Sequence, residues 1–348
     1  MSNIRIYDIE NCDEWDRIVR SFSNYDIYWL SGYVKAFQIH GDGEPLLISY
    51  DNGKIRGINV VFKRDIADSP KFVGKINKGE FYDLATPYGY GGWLIEGTDS
   101  SDLFSEYEAY CKEERIVSEF VRFHPVVEND KAAQKAYDVV KLGKTMTMDL
   151  STPDTIWENI ISKNRNMIRK AQKNGICILN GRSAELYEEF RFIYNKTMDK
   201  DNADEYYYFK PEFYRSILMD LPYNAQVFYA MLDDQIIAGS IMLVANGRMN
   251  YHLSGSLKEY SNLAPTNLLL YYAALWGSYN GCKTLYLGGG VGSGEDSLFK
   301  FKKAFNRQDD CHYFCIGRKI FDKDAYEKLV ALREDDVLND NFFPLYRS

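Results

Sequence analysis

The hydrophobic pattern is clearest in the second half of the chain, where it changes from that of a strand to that of a helix and back to that of a strand. Residues 250–254 alternate apolar and polar side chains, as a half-buried strand does. Residues 268–276 (LLLYYAALW) are apolar on every side and predict a buried helix, and Pro265 suits its first turn. Residues 283–287 predict a short buried strand. A helix between two strands indicates a β-α-β crossover.

A short helix after residue 297 places a lysine among apolar side chains. At about 100° per residue, its apolar arc contains Leu298, Phe299, Phe301 and Phe305. Lys302 falls inside this arc, whereas Lys300 and Lys303 point away from it. A lysine on the core-facing side is costly unless it meets an anion or extends its ammonium group to water at the helix margin. Both alternatives remain open from the periodicity alone.

Residues 154–174 predict one helix with an apolar face and a cationic face. The cations between residues 163 and 173 are Lys163, Arg165, Arg169, Lys170 and Lys173, and no acidic residue interrupts them. A positive stripe of this kind in an acidic protein suits RNA or a nucleotide-linked precursor. Arg165, Arg169 and Lys173 are our candidate donor- or RNA-binding residues. The simpler alternative is a solvated helix face.

The rest of the second half predicts two helices followed by a hairpin. The helices, 183–200 and 211–221, flank an acidic, aromatic loop whose composition suits the cover of a cleft. Strands 226–232 and 235–245 form the hairpin. The predicted order is therefore β, α, α, β, β, β, α, β, α, β, and the similar coarse order of the first half indicates a duplicated fold.

The first half contributes three features of interest. Residues 28–40 predict a helix, with Lys35 off its apolar stripe as a solvated lysine would be. Residues 86–93 (TPYGYGGW) predict a tight loop on which Tyr88 and Tyr90 either line a pocket or cap the edge of a core. This loop lacks the strand, GxGxxG and helix context of a dinucleotide site, which excludes that function.

Polar residues also follow the predicted strand 117–123. Arg122 and His124 stand at its end, a common position for site residues in α/β folds. A single histidine is more often structural, and this alternative stays open for His124. Residues 144–150 predict an exposed strand, and the helix start at residues 151–153 marks a domain boundary. The helix predicted over residues 322–333 is expected to pack back on the first domain.

Length, charge and cysteine content limit which classes of protein the chain can belong to. The chain has 348 residues, which indicates two domains, and its net charge of -8 argues against a DNA-binding protein. Six dispersed cysteines suit a reducing compartment, and neither a signal-peptide pattern nor an apolar run of membrane-spanning length is present, so we expect a cytoplasmic protein. Cys311, His312 and Cys315 lack a second pair of ligands, so we predict no metal site.

Five motifs in order resemble one family over nearly the whole chain. They are TPYGYGGW (86–93), RFHP (122–125), KNRNMIRKAQKNGI (163–176), YHLSGSLKEYSNLAPTN (251–267) and residues 285–305. The pattern resembles the Fem-like branch (FemABX, peptidoglycan interpeptide-bridge enzymes) of the GNAT acyltransferase superfamily. The resemblance implies an α/β (α+β) fold of two tandem GNAT-like domains, each a mixed, mostly antiparallel sheet flanked by helices. Residues 1–147, completed by a C-terminal helix within 318–348, form the first domain, and residues 148–317 form the second.

The resemblance also implies a function in a cleft between the domains. Bridge-forming members move an amino acid from aminoacyl-tRNA to an amine of a cell-wall precursor. Phe301 and Lys302 resemble the family's FK motif, whose lysine stabilises charge at the reacting carbonyl. Lys35 resembles an early lysine that contacts precursor phosphate, and Tyr251 matches a strand tyrosine of the cleft. The substrate-binding residues that we expect are Lys35, Tyr88, Tyr90, Arg122, Lys200, Tyr207 and Tyr251.

The chain departs from the family pattern at two motifs. His124 precedes Pro125 where bridge-forming members usually carry aspartate, and Thr197 is followed by Lys200 where they often carry arginine. CoA-dependent GNAT proteins hold pyrophosphate on a glycine-rich loop, but residues 261–266 contain no glycine, and Pro265 lacks an amide donor. We therefore prefer aminoacyl-tRNA slightly over acyl-CoA as the donor, with no tightly bound cofactor.

These observations predict direct acyl transfer, with Lys302 offsetting oxyanion charge and His124 as the candidate general base. The expected partners are a cell-wall or nucleotide-sugar precursor, charged tRNA and the inner membrane surface as a peripheral contact. The alternatives are an acyl-CoA-dependent N-acyltransferase of polysaccharide synthesis and a non-catalytic module that binds a precursor or a glycan.

Overall fold

A computed structural model describes residues 3–308, 310–333 and 337–348. The strands are β1 (Ile4–Asp8), β2 (Glu44–Asp51), β3 (Arg56–Asp65), β4 (Tyr82–Ala85), β5 (Leu94–Glu96), β6 (Ile116–Arg122), β7 (Asp138–Asp149), β8 (Cys177–Gly181), β9 (Ala225–Leu232), β10 (Gln235–Ala245), β11 (Arg248–Ser256), β12 (Thr284–Gly288) and β13 (His312–Ile320). The helices are α1 (Cys12–Arg20), α2 (Ser31–His40), α3 (Ser101–Glu113), α4 (Asp130–Ala133), α5 (Pro153–Asn159), α6 (Ser162–Lys173), α7 (Ala184–Asp201), α8 (Pro211–Asp220), α9 (Pro265–Tyr279), α10 (Ser297–Lys303) and α11 (Lys323–Ala331).

The chain divides into two compact units. Unit 1 combines Met1–Leu142 with Phe314–Ser348, and unit 2 is Gly143–Tyr313. The sheet of unit 1 has the strand order β1-β2-β3-β4-β6-β13, and β5 pairs with β3. The β4–β6 pair is parallel, and the pairs β1–β2, β2–β3, β3–β4, β3–β5 and β6–β13 are antiparallel. The sheet is therefore mixed and mostly antiparallel.

Buried ion pairs hold the end of the chain in unit 1. The Asp83 carboxylate is fully buried and accepts hydrogen bonds from Arg64 (2.8 Å), the Tyr346 hydroxyl (3.1 Å) and Arg347. Burial alone would raise the pKa of Asp83, but the two arginines hold it below its ordinary value. The carboxylate is therefore charged at neutral pH. Leu329 on α11 packs into the same unit.

Unit 2 contains the predicted crossover. Its sheet has the order β7-β12-β11-β10-β9-β8, and β11 pairs with β12 in parallel, with α9 between them in the chain. The parallel pairing covers three residues of each strand, after which β11 continues alone to Ser256 on that side. A register shift between Ile241 and Met242 on β10 leaves His252 as the extra residue of β11.

One core joins the helices and strands of unit 2. Its fully buried members include Met148 on β7, Ile168 on α6, Leu269 on α9 and Leu285 on β12. The burial of Met146 and Met148 contradicts our prediction of an exposed strand at residues 144–150. Methionine alternating with threonine gave a weak apolar signal, although these two side chains face the core.

The helix predicted over residues 154–174 is in fact two helices. Ile160 and Ile161 have extended backbone angles between α5 and α6. Ile160 is fully buried, and the Ile161 amide donates to the Ala304 carbonyl (3.1 Å) instead of to a helical partner. Because of this break, α6 is not a continuation of the α5 helix. In the part of the chain that is described, no helix is long and apolar enough to cross a membrane.

Candidate functional site

The helix α10 is short and its beginning is fixed by Asp296. One carboxylate oxygen of Asp296 accepts from the Phe299 amide (2.8 Å), and the other accepts from the Val291 amide (3.0 Å). Phe299 and Phe305 are buried, but Leu298 is 37% exposed, so our apolar arc was wrong at Leu298. The helix is anchored by its aromatic residues and by its cap.

Lys302 is buried on α10, as the helical pattern indicates, with 9% of the residue exposed. Side chains on a helix lean toward its N-terminus, and the Nζ atom donates to the Gly289 carbonyl (2.7 Å). Burial lowers the pKa of Lys302 to about 8, and the negative charge of Asp296 opposes this effect. The ammonium form is therefore present at neutral pH in an environment that stabilises charge poorly.

Three consecutive glycines allow the backbone to approach Lys302. Gly288 has a φ of +80°, and a Cβ atom there would lie 3.3 Å from the Lys302 Nζ atom. A Cβ atom on Gly290 would lie 2.3 Å from the Gly294 carbonyl oxygen and 2.4 Å from an Asp296 carboxylate oxygen. Our sequence analysis did not assign roles to these glycines or to Asp296. The signal was present as a GGG run at a strand end, followed by an N-capping residue type.

The other predicted site residues of unit 2 have different degrees of exposure. Phe301 and Tyr251 are half-buried and pack against the core of the unit. Burial raises the pKa of Tyr251 to about 12, so its hydroxyl is neutral. Lys200 is exposed and pairs with Asp201 (3.2 Å), and Tyr207 is 37% exposed with its ring edge against Tyr206.

Two of the three predicted RNA-binding residues contact Trp157 on α5. The guanidinium groups of Arg165 and Arg169 lie over its indole ring at 5.9 Å and 5.1 Å from the ring centroid. Arg165 also donates to the Trp157 carbonyl (3.4 Å). Lys173 is exposed at the end of α6. The break between α5 and α6 therefore lets Trp157 organise the two arginines.

In unit 1 the TPYGYGGW loop packs against α2 and β6. The Tyr88 ring stacks on Phe37 (5.3 Å between centroids), and the Tyr33 hydroxyl donates to the Tyr88 carbonyl (2.6 Å). Arg122 donates from Nε to the Gly89 carbonyl (3.0 Å). Gly89 has a φ of +88°, and a Cβ atom there would lie 2.6 Å from a Tyr28 ring carbon, so only glycine fits. Arg122 is thus bonded to the residue that directly follows Tyr88.

Aromatic rings complete this cluster. Tyr90 lies 5.5 Å from the His124 ring and 5.7 Å from Phe314, with Arg122 over the Phe314 ring at 4.9 Å. Lys35 is half-buried on α2. Tyr90 and Arg122 are half-buried as well, so the cluster presents both cationic and aromatic groups.

His124 does not have the geometry of a general base. The side chain is fully buried, its Nε2 atom lies 3.1 Å from an Asp26 carboxylate oxygen, and its Nδ1 atom accepts from the Val127 amide (3.2 Å). An accepting Nδ1 places the ring proton on Nε2, where it is donated to Asp26. Both nitrogens are thus engaged within unit 1, and we assign His124 a structural role in place of the predicted base.

Cys311, His312 and Cys315, for which we predicted no metal site, lie at or beside the start of β13. Cys315 is buried, and burial raises the pKa of its thiol to about 11. Across residues 3–308, 310–333 and 337–348, no group of three or more metal-binding side chains is assembled.

Part of the chain matches a known protein family, and nearly all of it is similar to a solved structure. Residues 162–303 match the family described as acetyltransferase (GNAT) domain, a stretch that begins with α6 and includes Lys302. The crystal structure of FemX is similar over 93% of this chain and 99% of that chain, with a TM-score of 0.69 and 14% identity. The chain has a Fem-like GNAT fold. The predicted fold class and the resemblance to the Fem-like branch are confirmed at this level.

Two further solved structures are similar to this chain. One is the C-terminal domain (DUF2156) of a putative lysylphosphatidylglycerol synthetase from Agrobacterium fabrum, with 14% identity, a TM-score of 0.56 and coverage of 89% of this chain and 91% of that chain. The other is a conserved protein of unknown function from Bacteroides thetaiotaomicron, with 11% identity, a TM-score of 0.60 and coverage of 92% and 100%. At these identities the likeness concerns the fold. No curated protein sequence matches the chain.

The structural role of His124 generates a stability prediction. His124→Phe keeps a ring but removes both hydrogen bonds and leaves the Asp26 carboxylate in the core without the imidazole donor. We expect the free energy of unfolding to fall by about 3–5 kcal/mol, measured by urea denaturation. His40→Phe at the end of α2 is the control and should change it by less than about 1 kcal/mol. A His124→Phe protein as stable as wild type would contradict the structural assignment.

Proposed function

We propose that this protein is an acyltransferase that moves an aminoacyl group onto an amine of a cell-wall or sugar-linked precursor. The observation that carries the proposal is Lys302, an ammonium group buried within the GNAT-matching part of the chain and held by the Gly289 carbonyl. An ammonium group has three donors, and Gly289 takes one of them. The others suit an oxygen that gains negative charge during a reaction.

The proposed reaction is a direct attack by the unprotonated acceptor amine on the donor carbonyl carbon. A C–N bond forms and the carbonyl electrons move to oxygen, where the charge of Lys302 offsets the developing oxyanion. When the oxyanion collapses, the ester C–O bond breaks, and the proton lost by the amine passes to the leaving hydroxyl group. Because the site around Lys302 is largely shielded from water, this electrostatic effect is larger than it would be at the surface.

The acceptor proposal draws on the cluster around Gly89 in unit 1. Arg122 is a half-buried cation that donates to the Gly89 carbonyl, between the half-buried rings of Tyr88 and Tyr90. Lys35 is a second half-buried cation of the same unit and lies on α2, the helix whose Phe37 ring stacks on Tyr88. Cations with aromatic rings suit a phosphorylated, sugar-linked precursor. We propose that Lys200, Tyr207 and Tyr251 bind substrate within unit 2.

The beginning of α9 favours aminoacyl-tRNA over acyl-CoA. The segment before it is a 3-10 turn, Lys258–Leu263, in which the amides of Tyr260 and Ala264 donate to the Leu257 and Ser261 carbonyls. Pro265 has no amide proton. Few backbone donors therefore remain for a pyrophosphate group. The cationic face of α6 provides a phosphate-binding surface that a tRNA donor would use and CoA would not need.

Transfer should depend on Lys302 and not on its exposed neighbour. Purified protein would be given charged tRNA or acetyl-CoA with a panel of amine-bearing cell-wall and sugar precursors, and products would be followed by mass spectrometry. We expect Lys302→Met to lower the transfer rate about 10²–10³-fold, and Lys300→Met to retain wild-type activity. The wild-type rate should decline above pH 8, because Lys302 loses its proton with a pKa of about 8.

Each outcome of this assay has a distinct meaning. Product with charged tRNA supports the aminoacyltransferase proposal, whereas product with acetyl-CoA alone moves the protein to the N-acetyltransferase alternative. Binding of precursors without any product would indicate the non-catalytic module. A Lys302→Met protein with full activity would reject the proposed role of Lys302.

The α6 surface generates a prediction about tRNA affinity. Replacing Arg165 and Arg169 by glutamine should weaken binding of charged tRNA about tenfold or more and make its dependence on salt concentration shallower, measured by filter binding. Trp157→Leu keeps both charges but removes the ring that organises them, so it should weaken binding less and leave the salt dependence unchanged.

The control for this prediction replaces Lys210 and Lys283, two exposed cations of unit 2 outside α6. It removes the same net charge. If this control weakens binding as much as the arginine pair does, the effect is due to overall charge and α6 is not the binding surface.

A further inference from the structure

Within the segment 288–302, the side chains of Asp296 and Lys302 make hydrogen bonds that close a loop. Asp296 accepts from the Val291 amide on one side and from the Phe299 amide on the other. The Lys302 Nζ atom donates to the Gly289 carbonyl, at the start of the same segment. Three side-chain hydrogen bonds therefore tie the glycine loop to both ends of the helix that carries Lys302.

Steric constraints show that this loop is closely packed. The Cβ position of Gly290 is occupied by the Asp296 carboxylate, 2.4 Å away, and that of Gly143 is occupied by the Ser293 carbonyl oxygen, 2.2 Å away. Lys144, next to Gly143, pairs with Glu295 (2.9 Å). The loop is thus held against β7 as well as against α10.

The charged groups on the elements around Lys302 differ in where they lie relative to its side chain. Its own helix carries Lys300 and Lys303, β7 contributes Lys144, and β12 contributes the Tyr286 ring beside Gly288. Glu295 is exposed and is paired with Lys144. Asp296 is different because it caps the helix to whose N-terminal end the Lys302 side chain extends.

We propose that Asp296 is a positioning residue for Lys302: its carboxylate fixes the loop whose Gly289 carbonyl receives the lysine, and its negative charge keeps the buried amine protonated. This inference rests on the proposed function only for its consequence in catalysis. The hydrogen bonds from Val291 and Phe299 keep the pKa of Asp296 below its ordinary value, so its charge is present at every pH at which the protein would act.

The effect on catalysis follows from the sign of this charge. Lys302 has a pKa of about 8, lowered by burial and supported by Asp296. Removing the charge of Asp296 lowers this pKa further. The ammonium form is then lost at a lower pH, and the decline of the transfer rate on the alkaline side moves toward neutral pH.

The test is a direct titration of Lys302. Protein labelled with ¹³C-lysine would be titrated by NMR without substrate, with the Lys302 signal assigned by its loss in Lys302→Met. We expect Asp296→Asn, which keeps a capping side chain but not the charge, to lower the Lys302 pKa by about one pH unit. Asp296→Ser is the second variant and should act in the same direction.

Glu295→Gln is the matched control, since it removes one negative charge from the same loop without uncapping α10. It should move the Lys302 pKa much less than Asp296→Asn does. If folded Asp296→Asn and Asp296→Ser proteins both titrate like wild type, the proposal is wrong. Because this measurement needs no substrate, a protein that shows the shift but transfers nothing would reject the proposed function and leave the role of Asp296 intact.

Discussion

The burial of one ammonium group is the physical constraint on which this part of the structure depends. The fall of the Lys302 pKa from 10.5 to about 8 corresponds to roughly 3 kcal/mol in favour of the neutral amine. An apolar residue at position 302 would avoid this cost. The surroundings instead retain the charge, through the Gly289 carbonyl and the Asp296 carboxylate. Stability given up at a single side chain is characteristic of a functional site.

The glycines and the short helix are consequences of that constraint. A carbonyl can reach the Lys302 Nζ atom only if the loop turns sharply at Gly288 and approaches closely at Gly290. The aromatic anchors Phe299 and Phe305 then fix the helix against the core of unit 2. In unit 1 the glycine loop at residues 86–93 uses the same device, because Gly89 allows its carbonyl to meet Arg122.

Local patterns predicted much of this structure. The helices expected at 183–200 and 211–221 are observed as Ala184–Asp201 and Pro211–Asp220, because a serine cap and a proline mark their beginnings. Helical periodicity placed Lys302 on the core-facing side of its helix but left open whether its ammonium group reaches water, and the structure shows it buried. The break at Ile160 and Ile161 did not, because both residues continue the apolar pattern and the break is stabilised by the distant Ala304 carbonyl.

Contacts between distant positions in the sequence account for the remaining differences. Asp26 and His124 are 98 positions apart, so no spacing rule could show that the imidazole is already engaged. The stacking of Arg165 and Arg169 on Trp157 depends on the turn between α5 and α6, which the helical pattern concealed. The roles of Gly288 and Asp296 required the path of the loop, which composition alone does not determine.

The most direct test of this account compares the stability of wild type and Lys302→Met as a function of pH. The wild-type protein carries the cost of a buried charge below pH 8, and this cost disappears as the pH rises toward 10.5, where the unfolded chain also loses the proton. Urea denaturation at pH 7 should therefore show Lys302→Met to be more stable, by up to about 3 kcal/mol, with a difference that shrinks above pH 8. A variant that is equally or less stable at pH 7 would contradict the claim that the charge of Lys302 is retained at a cost.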